Sequence, residues 1–395
     1  MRQTGTVVRG IRTPIIQTHD NLAQIVVESL LKAQKEEGFL FEDKDIVAVT
    51  EAVVGISQNN YATLDQIAYD VASKFKSKHI GLVFPILSRN RFSMLLKAFA
   101  KAMDKITILL SYPKDEVGNS ILYESDLKRL NINPYDTVLT ESFYETEFSH
   151  FKHPFTGINM VKYYKDLVLS QNCQVEFVFS NNPSDILKYT KEVLVCDIHQ
   201  RFETKEQLLK QDHETIIGLD DLLTKPVFGS GFNETYGLYG SNMATKDKVK
   251  LFPKKDDPIV YQIQRLLKEK TNKLVEVMIY GDGAFKDPVG HIWELADPVV
   301  SPSYTKGLEG SPNELKLKYI TDDKYSQLKG DALYDAVRYE ILNKSSEVTD
   351  QLKLGTTPRR YVDLIGSLCD LVSGSGDKGT PVVYIKNYFK NYAEE

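Results

Sequence analysis

Cysteine is scarce in this chain. The three cysteines, Cys173, Cys196 and Cys369, are widely spaced and form no Cys-x-x-Cys pair. That spacing excludes a disulfide framework and a cysteine zinc site, and it fits a reducing compartment. Histidine is sparse as well: the seven histidines, among them His150, His153, His199 and His291, show no His-Glu-x-x-His spacing. With no Gly-x-Ser-x-Gly elbow either, protease, zinc-hydrolase and serine-esterase readings lose their support. No run of about eighteen uninterrupted apolar residues occurs, and residues 1–20 lack the apolar centre of a secretory signal. These absences predict a cytoplasmic protein that neither crosses nor spans a membrane, so the sequons at Asn233-Glu234-Thr235 and Asn343-Lys344-Ser345 read as chance. An excess of positive charge is missing too. Lysine and arginine total 49 against 54 acidic residues, a formal charge of −5, which argues against a nucleic-acid partner.

What is present is an ordinary globular composition, 42% hydrophobic and 26% charged over 395 residues, enough for two or three domains. Strand-like runs at residues 5–8 and 45–49 bracket a stretch, 22–33, whose Leu22, Ile25, Val26, Leu30 and Leu31 recur at helical spacing. From Ile80 the rhythm changes. Apolar runs at 80–86, 106–110, 175–179 and 193–196 alternate with helical patterns such as 92–103 and 160–170. This alternation predicts an α/β fold with a parallel sheet covered on both faces, inserted at residues 80–225. Residues 112–154 are broken by Pro113, Gly118, Asn119 and Pro134 and are expected to hold long loops. Beyond a turn-rich stretch at 229–242, a short strand ending in Leu251-Phe252-Pro253 leads to a helix over 259–270 and a strand over 274–280. A helix from about Ala332 to Leu342, another from about Tyr361 to Val372 and a final strand over 381–385 complete the chain.

The strongest constellation follows the 274–280 strand. Asp282, Asp287, Glu294 and Asp297 fall within sixteen positions, around Gly281-Asp282-Gly283. Magnesium and manganese prefer oxygen ligands and take one or two carboxylates at nucleotide sites, so Asp282 is the first candidate metal ligand, with Asp287 and Glu294 behind it. A solvated turn with a helix cap is the competing reading. Gly374-Ser375-Gly376-Asp377-Lys378-Gly379 formally contains Gly-x-Gly-x-x-Gly, yet it sits between a helix and a strand, the reverse of the dinucleotide context. It either cradles phosphate through its backbone N–H groups, with Lys378 as a point charge, or simply caps a helix. Arg359 and Arg360, just before a helix, suit a carboxylate or phosphate, or are a surface pair. Lys316 and Lys318 share one face if residues 314–319 form a strand, lining an anion site or facing solvent.

The order of these landmarks resembles the coenzyme F-420 gamma-glutamyl ligases. GIRTPII at 10–16, His19-Asp20-Asn21-Leu22 and Asp43-Lys44-Asp45-Ile46-Val47-Ala48-Val49-Thr50 are similar to the family's opening GI, D-D-L and DGDIxVVT. Gly240-Ser241-Asn242 and Leu251-Phe252-Pro253 resemble its VDxSN and LLP landmarks, and Tyr280-Gly281-Asp282-Gly283 falls at its SDTxGR segment. Asp363 to Leu368 and Gly379 to Val383 resemble its ADELAxAA helix and PV strand. Two departures stand out: Tyr239 replaces the VDxSN aspartate, and Glu51 to Ile56 replaces a QK-x-x-SK segment.

The resemblance implies a ligase core at 1–79 and 226–395 and a homodimer. It also implies a reaction in which GTP or ATP, with magnesium or manganese, phosphorylates a substrate carboxylate that the amine of L-glutamate then attacks. The acceptor is an F-420-like deazaflavin, a folate or another pterin. The candidate catalytic residues are Asp282, Arg359 and Lys378, and the candidate nucleotide-binding residues are Asn242, Ser241, Gly283, Lys316, Lys318, Arg360, Gly376 and Gly379; of these, Asp282 and Asn242 match the family's landmarks best. Two alternatives stay open: a sensor of a nucleotide or metabolite without turnover, and a metal-dependent hydrolase.

Overall fold

The computed structural model describes residues 3–154, 156–254, 258–281, 285–286, 293–294, 301–345, 351–353, 356, 359–372 and 376–394. The architecture is α/β, and its two larger sheets are covered on both faces. The six-stranded sheet runs, in spatial order, Leu139–Thr140, Gln174–Phe179, Lys105–Leu110, His79–Val83, Glu192–Val195 and Thr215–Gly218. All neighbours are parallel except the first, which pairs antiparallel with Gln174–Phe179. The central strands are mostly apolar because successive side chains enter opposite cores. Ile80, Leu82, Ile106, Ile108 and Phe177 pack with the helices Phe92–Ala102 and Met160–Leu169, while Val83, Leu109, Val178, Val193 and Val195 pack with Leu208 of the helix Arg201–Leu209. The helix Leu64–Lys74 joins the first of these cores through Ile67 and Val71. Its start is a capping box in which Thr63 and Gln66 bond each other's backbone N–H.

The five-stranded sheet draws on the whole chain. Its order is Val7–Ile11, Val382–Lys386, Ile46–Thr50, Glu276–Tyr280 and Ser303–Tyr304. Ile46–Thr50 and Glu276–Tyr280 are parallel; the other neighbours are antiparallel. Val47, Val49, Val277 and Ile279 face the helices Leu22–Glu37 and Ile259–Thr271, and Ile46, Ala48, Met278 and Val383 face the helix Tyr361–Val372. A small antiparallel sheet, Asn242–Thr245, Lys248–Lys250 and Tyr61–Thr63, lies between these units in the chain's connections. The turn-rich stretch before it is held by Asn60, whose buried side chain accepts from Phe232 N (2.9 Å) and donates to Phe252 O (2.7 Å). Gly231 passes so close that a Cβ there would stand 2.4 Å from Asn60 Oδ1. Asn233 is buried and donates to Pro253 O (2.8 Å), so its sequon serves the fold.

Several expectations need correction. The first strand is Val7–Ile11, not 5–8, because pairing with Val382–Lys386 continues to Ile11. The strand expected over 274–280 begins at Glu276, and the one expected to end at Pro253 stops at Lys250. Residues 112–154 contain the helices Glu124–Leu130 and Glu141–Glu147, anchored by buried Leu127, Tyr144 and Phe148. Residues 314–319 form no strand. Lys316 precedes a helical turn, Leu317–Tyr319, because Leu315 and Ile320 are the residues that join Val337 and Ile341 in a small core. The two lysines are exposed. Among the described residues no helix is long and apolar enough to cross a membrane.

Candidate functional site

Strand direction brings five distant segments to one edge of the five-stranded sheet. Ile46–Thr50 and Glu276–Tyr280 run parallel with Thr50 opposite Tyr280, so both end there. Val382–Lys386 runs the other way and therefore begins there: Thr50 N donates to Pro381 O (2.9 Å). Val7–Ile11 ends there as well, with Ile11 opposite Val382 and Thr13 N donating to Gly379 O (3.4 Å). Ser301 Oγ donates to Ile279 O (2.8 Å) at the same place. Loops at the carboxyl ends of strands can gather polar groups on a rigid frame. The Gly376–Gly379 turn and Gly281, the residue directly before Asp282, stand at this edge.

A buried ion pair stands at this edge. Glu51, in the first turn of the helix Glu51–Ser57, accepts from Lys250 Nζ through both carboxylate oxygens, at 2.8 and 2.6 Å. Each residue is 4% exposed. At such burial the attraction must offset a desolvation cost of several kcal/mol per ion, and removal of either partner leaves the other charge stranded. Lys250 lies opposite Asn242 in the small sheet, so Asn242 stands beside the pair. Reading along the chain missed Lys250. The partners are 199 positions apart, and no spacing rule links them.

Apart from the exposed Lys316 and Lys318, the predicted site residues fall into four groups. Asp282, Gly283 and Asp287 lie outside the described residues. Of Glu294 only the backbone is described, in the short strand Trp293–Glu294 opposite Phe285–Lys286, and its side chain lies outside them. Gly376, Lys378 and Gly379 belong to a tight turn closed by Gly379 N donating to Gly376 O (2.9 Å). Gly379 has φ of 64°, a left-handed conformation that suits glycine, and Lys378 is exposed. Arg359 and Arg360 stand at the far end of the helix Tyr361–Val372. Tyr361 packs on Phe389 (ring centroids 5.1 Å apart), just past the carboxyl end of Val382–Lys386, whereas the Gly376–Gly379 turn precedes that strand's start. A twelve-residue helix is about 18 Å long. Arg360 is also engaged there, donating to both oxygens of Asp363 at 2.9 and 2.7 Å.

The turn directly before the small sheet carries the remaining group. Asn242 heads its strand, while Ser241, together with Tyr239 and Gly240, lines a cavity at the six-stranded sheet. Tyr239 is buried, and its hydroxyl donates to Asp197 O (2.7 Å). Asp197 itself is 1% exposed; Oδ2 accepts from Thr204 Oγ1 (2.7 Å). Burial, reinforced by the Glu116 charge, pushes its carboxyl up to about 7. Among the described residues no three His, Cys, Asp or Glu side chains are grouped so as to hold a metal ion.

Residues 10–387 match the family model described as F420-0:Gamma-glutamyl ligase. No curated protein matches the chain.

Proposed function

The chain belongs to the F420-0:Gamma-glutamyl ligase family, and from that premise we propose that it joins L-glutamate to a carboxylated small molecule at the expense of GTP or ATP. In this reading a carboxylate oxygen of the acceptor attacks the γ-phosphorus and the nucleoside diphosphate leaves. The glutamate amine then attacks the acyl carbon, inorganic phosphate leaves, and the nitrogen gives up a proton. The acceptor is an F-420-like deazaflavin or a folate-like pterin.

One observation carries the reading: Gly281, the Gly376–Gly379 turn and the Glu51–Lys250 pair meet at one sheet edge. Phosphoryl transfer depends on positioning and charge stabilisation, which such an edge can provide from fixed loops. Asp282 with Asp287 and Glu294 would hold magnesium or manganese, whose charge offsets that of the phosphates. Lys378 and the backbone of its turn would meet a phosphate, with Asn242 beside Lys250 facing the reacting groups. Residues 80–225 would form the inserted unit on a ligase core of 1–79 and 226–395, and the active form would be a cytoplasmic homodimer.

The test is phosphate release from GTP and from ATP with magnesium or manganese, with L-glutamate and a panel of deazaflavins and pterins. Release that requires an acceptor, with a product heavier by one glutamyl residue, is the expected result. A second reading, a binding protein without turnover, is favoured by Tyr239: it stands at the family's aspartate landmark and is packed against Asp197. Saturable nucleotide binding with no turnover under any of these conditions would select it.

A further inference from the structure

Lys378 alone is a sparse answer to the charge of a nucleotide's phosphates, and the fold brings a second cation to it from the opposite end of the chain. Val7–Ile11 ends at the carboxyl edge of the five-stranded sheet with Ile11 opposite Val382, and Thr13 N donates to Gly379 O (3.4 Å). Arg12 is thereby fixed between a strand pairing and a bond to the glycine turn. Arg12 and Lys378 are each one residue, about 3.8 Å along the chain, from that bond. The two segments also pack closely. A Cβ at Gly10 would stand 3.3 Å from Thr380 Cβ, so the missing side chain lets the end of the turn lie against the first strand.

The state of the two cations points to an anion. Arg9, three residues earlier on the same strand, donates to Glu37 Oε2 (3.0 Å) and lies over the Phe39 ring (4.9 Å). Arg360 is likewise held by Asp363. Arg12, by contrast, is exposed and makes no hydrogen bond, ion pair or ring contact among the described residues, and the same is true of Lys378. Asp377 is the one acid between Gly376 and Gly379, and it pairs with neither. Two neighbouring cations without an acid partner repel one another and set up a local positive potential that a polyanion relieves. The guanidinium adds what an ammonium lacks, parallel N–H groups that fit two oxygens of one phosphate. A terminal phosphate offers three acceptor oxygens and a charge of about −1.5 to −2, against two oxygens and a single charge on a carboxylate, so a pair of cations favours the phosphate.

We propose that Arg12 is a nucleotide-binding residue that shares a phosphoryl group with Lys378 at the carboxyl edge of the five-stranded sheet. The identity of the ligand rests on the ligase reading, whereas the cation pair does not.

The test titrates the full chain with GTP, ATP, inorganic tripolyphosphate, guanosine and succinate in the presence of magnesium, by calorimetry. The triphosphates and tripolyphosphate should bind saturably, and guanosine and succinate far more weakly. Arg12→Gln should weaken nucleotide and tripolyphosphate binding about tenfold or more, a lost charge-assisted contact. Arg12→Lys, which keeps the charge and loses the fork, should weaken it about threefold. Neither variant should change the melting temperature, since Arg12 supports no contact of the fold. Arg338→Gln, at an exposed arginine of the helix Gly330–Leu342, should stay within about twofold of the parent. Any of four results overturns the proposal: no saturable binding of a triphosphate or of tripolyphosphate at millimolar concentration, parent-like binding in Arg12→Gln, an equal loss in Arg338→Gln, or succinate binding as strongly as tripolyphosphate. Turnover is scored separately. A ligase whose KM for nucleotide is unchanged in Arg12→Gln sinks this assignment and leaves the family function standing, and Arg12-dependent phosphate binding without turnover does the reverse.

Discussion

The edges of the two large sheets differ in how their buried charges are met. At the edge of the five-stranded sheet the buried charges, Glu51 and Lys250, face each other and satisfy one another. At the edge of the six-stranded sheet, Asp197 keeps one oxygen without a partner among the described residues, and so does the Ser241 hydroxyl. A satisfied pair fixes geometry and serves the stability of the fold, whereas unsatisfied groups leave interaction energy available to a proton or a ligand. The ion pair thus gives the first edge a rigid frame for loops, while the second edge keeps a buried carboxyl that can hold a proton.

The largest effect that tests this contrast is on stability. Lys250→Met strands the Glu51 carboxylate and should lower unfolding free energy by about 3–5 kcal/mol, measured by urea titration. The double variant Glu51→Leu/Lys250→Met should recover most of that loss. A single-variant loss below about 1 kcal/mol would mean that the pair is not what holds this edge.

Next in size is Asp282→Asn. It should lower metal-dependent turnover about a hundredfold or more, the several kcal/mol that a metal site contributes, with an unchanged melting temperature. Equal turnover in the variant would remove Asp282 from the metal assignment.

A smaller effect tests the buried carboxyls of the six-stranded sheet by pH. Burial raises the folded-state pKa of Asp197 to about 7 and that of Asp115 to about 6, both from 3.8. A carboxyl raised on folding favours the folded state fully below its unfolded pKa, and that contribution disappears as pH rises through the folded value. Stability should therefore decline from about pH 4 to about pH 7, and Asp197→Asn should flatten the decline by on the order of 1–2 kcal/mol. A parent curve that climbs over this range would contradict the desolvated state of these carboxyls.

The smallest effect concerns the arginine pair. Arg360→Ala breaks an exposed pair with Asp363 far from the glycine turn and should change stability by less than about 1 kcal/mol. Turnover should stay within about threefold. A tenfold loss would bring the arginines into the catalytic edge after all.

Legibility from sequence follows the range of the interactions. Four of the six strands of the six-stranded sheet were readable because their apolar runs fill two cores, whereas the short edge strands Leu139–Thr140 and Thr215–Gly218 were not. The helix Tyr361–Val372 was readable because Val362, Ile365 and Cys369 recur at helical spacing. The condition on Lys316 and Lys318, a strand over 314–319, is not met, since that backbone pairs otherwise: Lys316 N donates to Leu352 O and Ile320 N to Lys316 O. The glycine turn was visible, as was the run of carboxylates, because both are local. The Glu51–Lys250 pair and the Ser241 cavity were not, since each depends on which segments the topology brings together. Buried lysine next to Leu251-Phe252-Pro253 was the available hint, and it is a weak one.

The placement of the last strand carries a consequence for how the chain is made. Val382–Lys386 lies between Val7–Ile11 and Ile46–Thr50 and bonds both. During synthesis, which proceeds at roughly 5–20 residues per second with domains folding as units, every strand of the six-stranded sheet is present once residue 218 has emerged. The two amino-terminal strands must wait for residue 386 before either gains its shared neighbour. A ribosome stalled anywhere between these points would therefore carry all strands of one sheet but leave the other without the strand that joins Val7–Ile11 to Ile46–Thr50, an opening that invites chaperone binding or pairing with a second nascent chain.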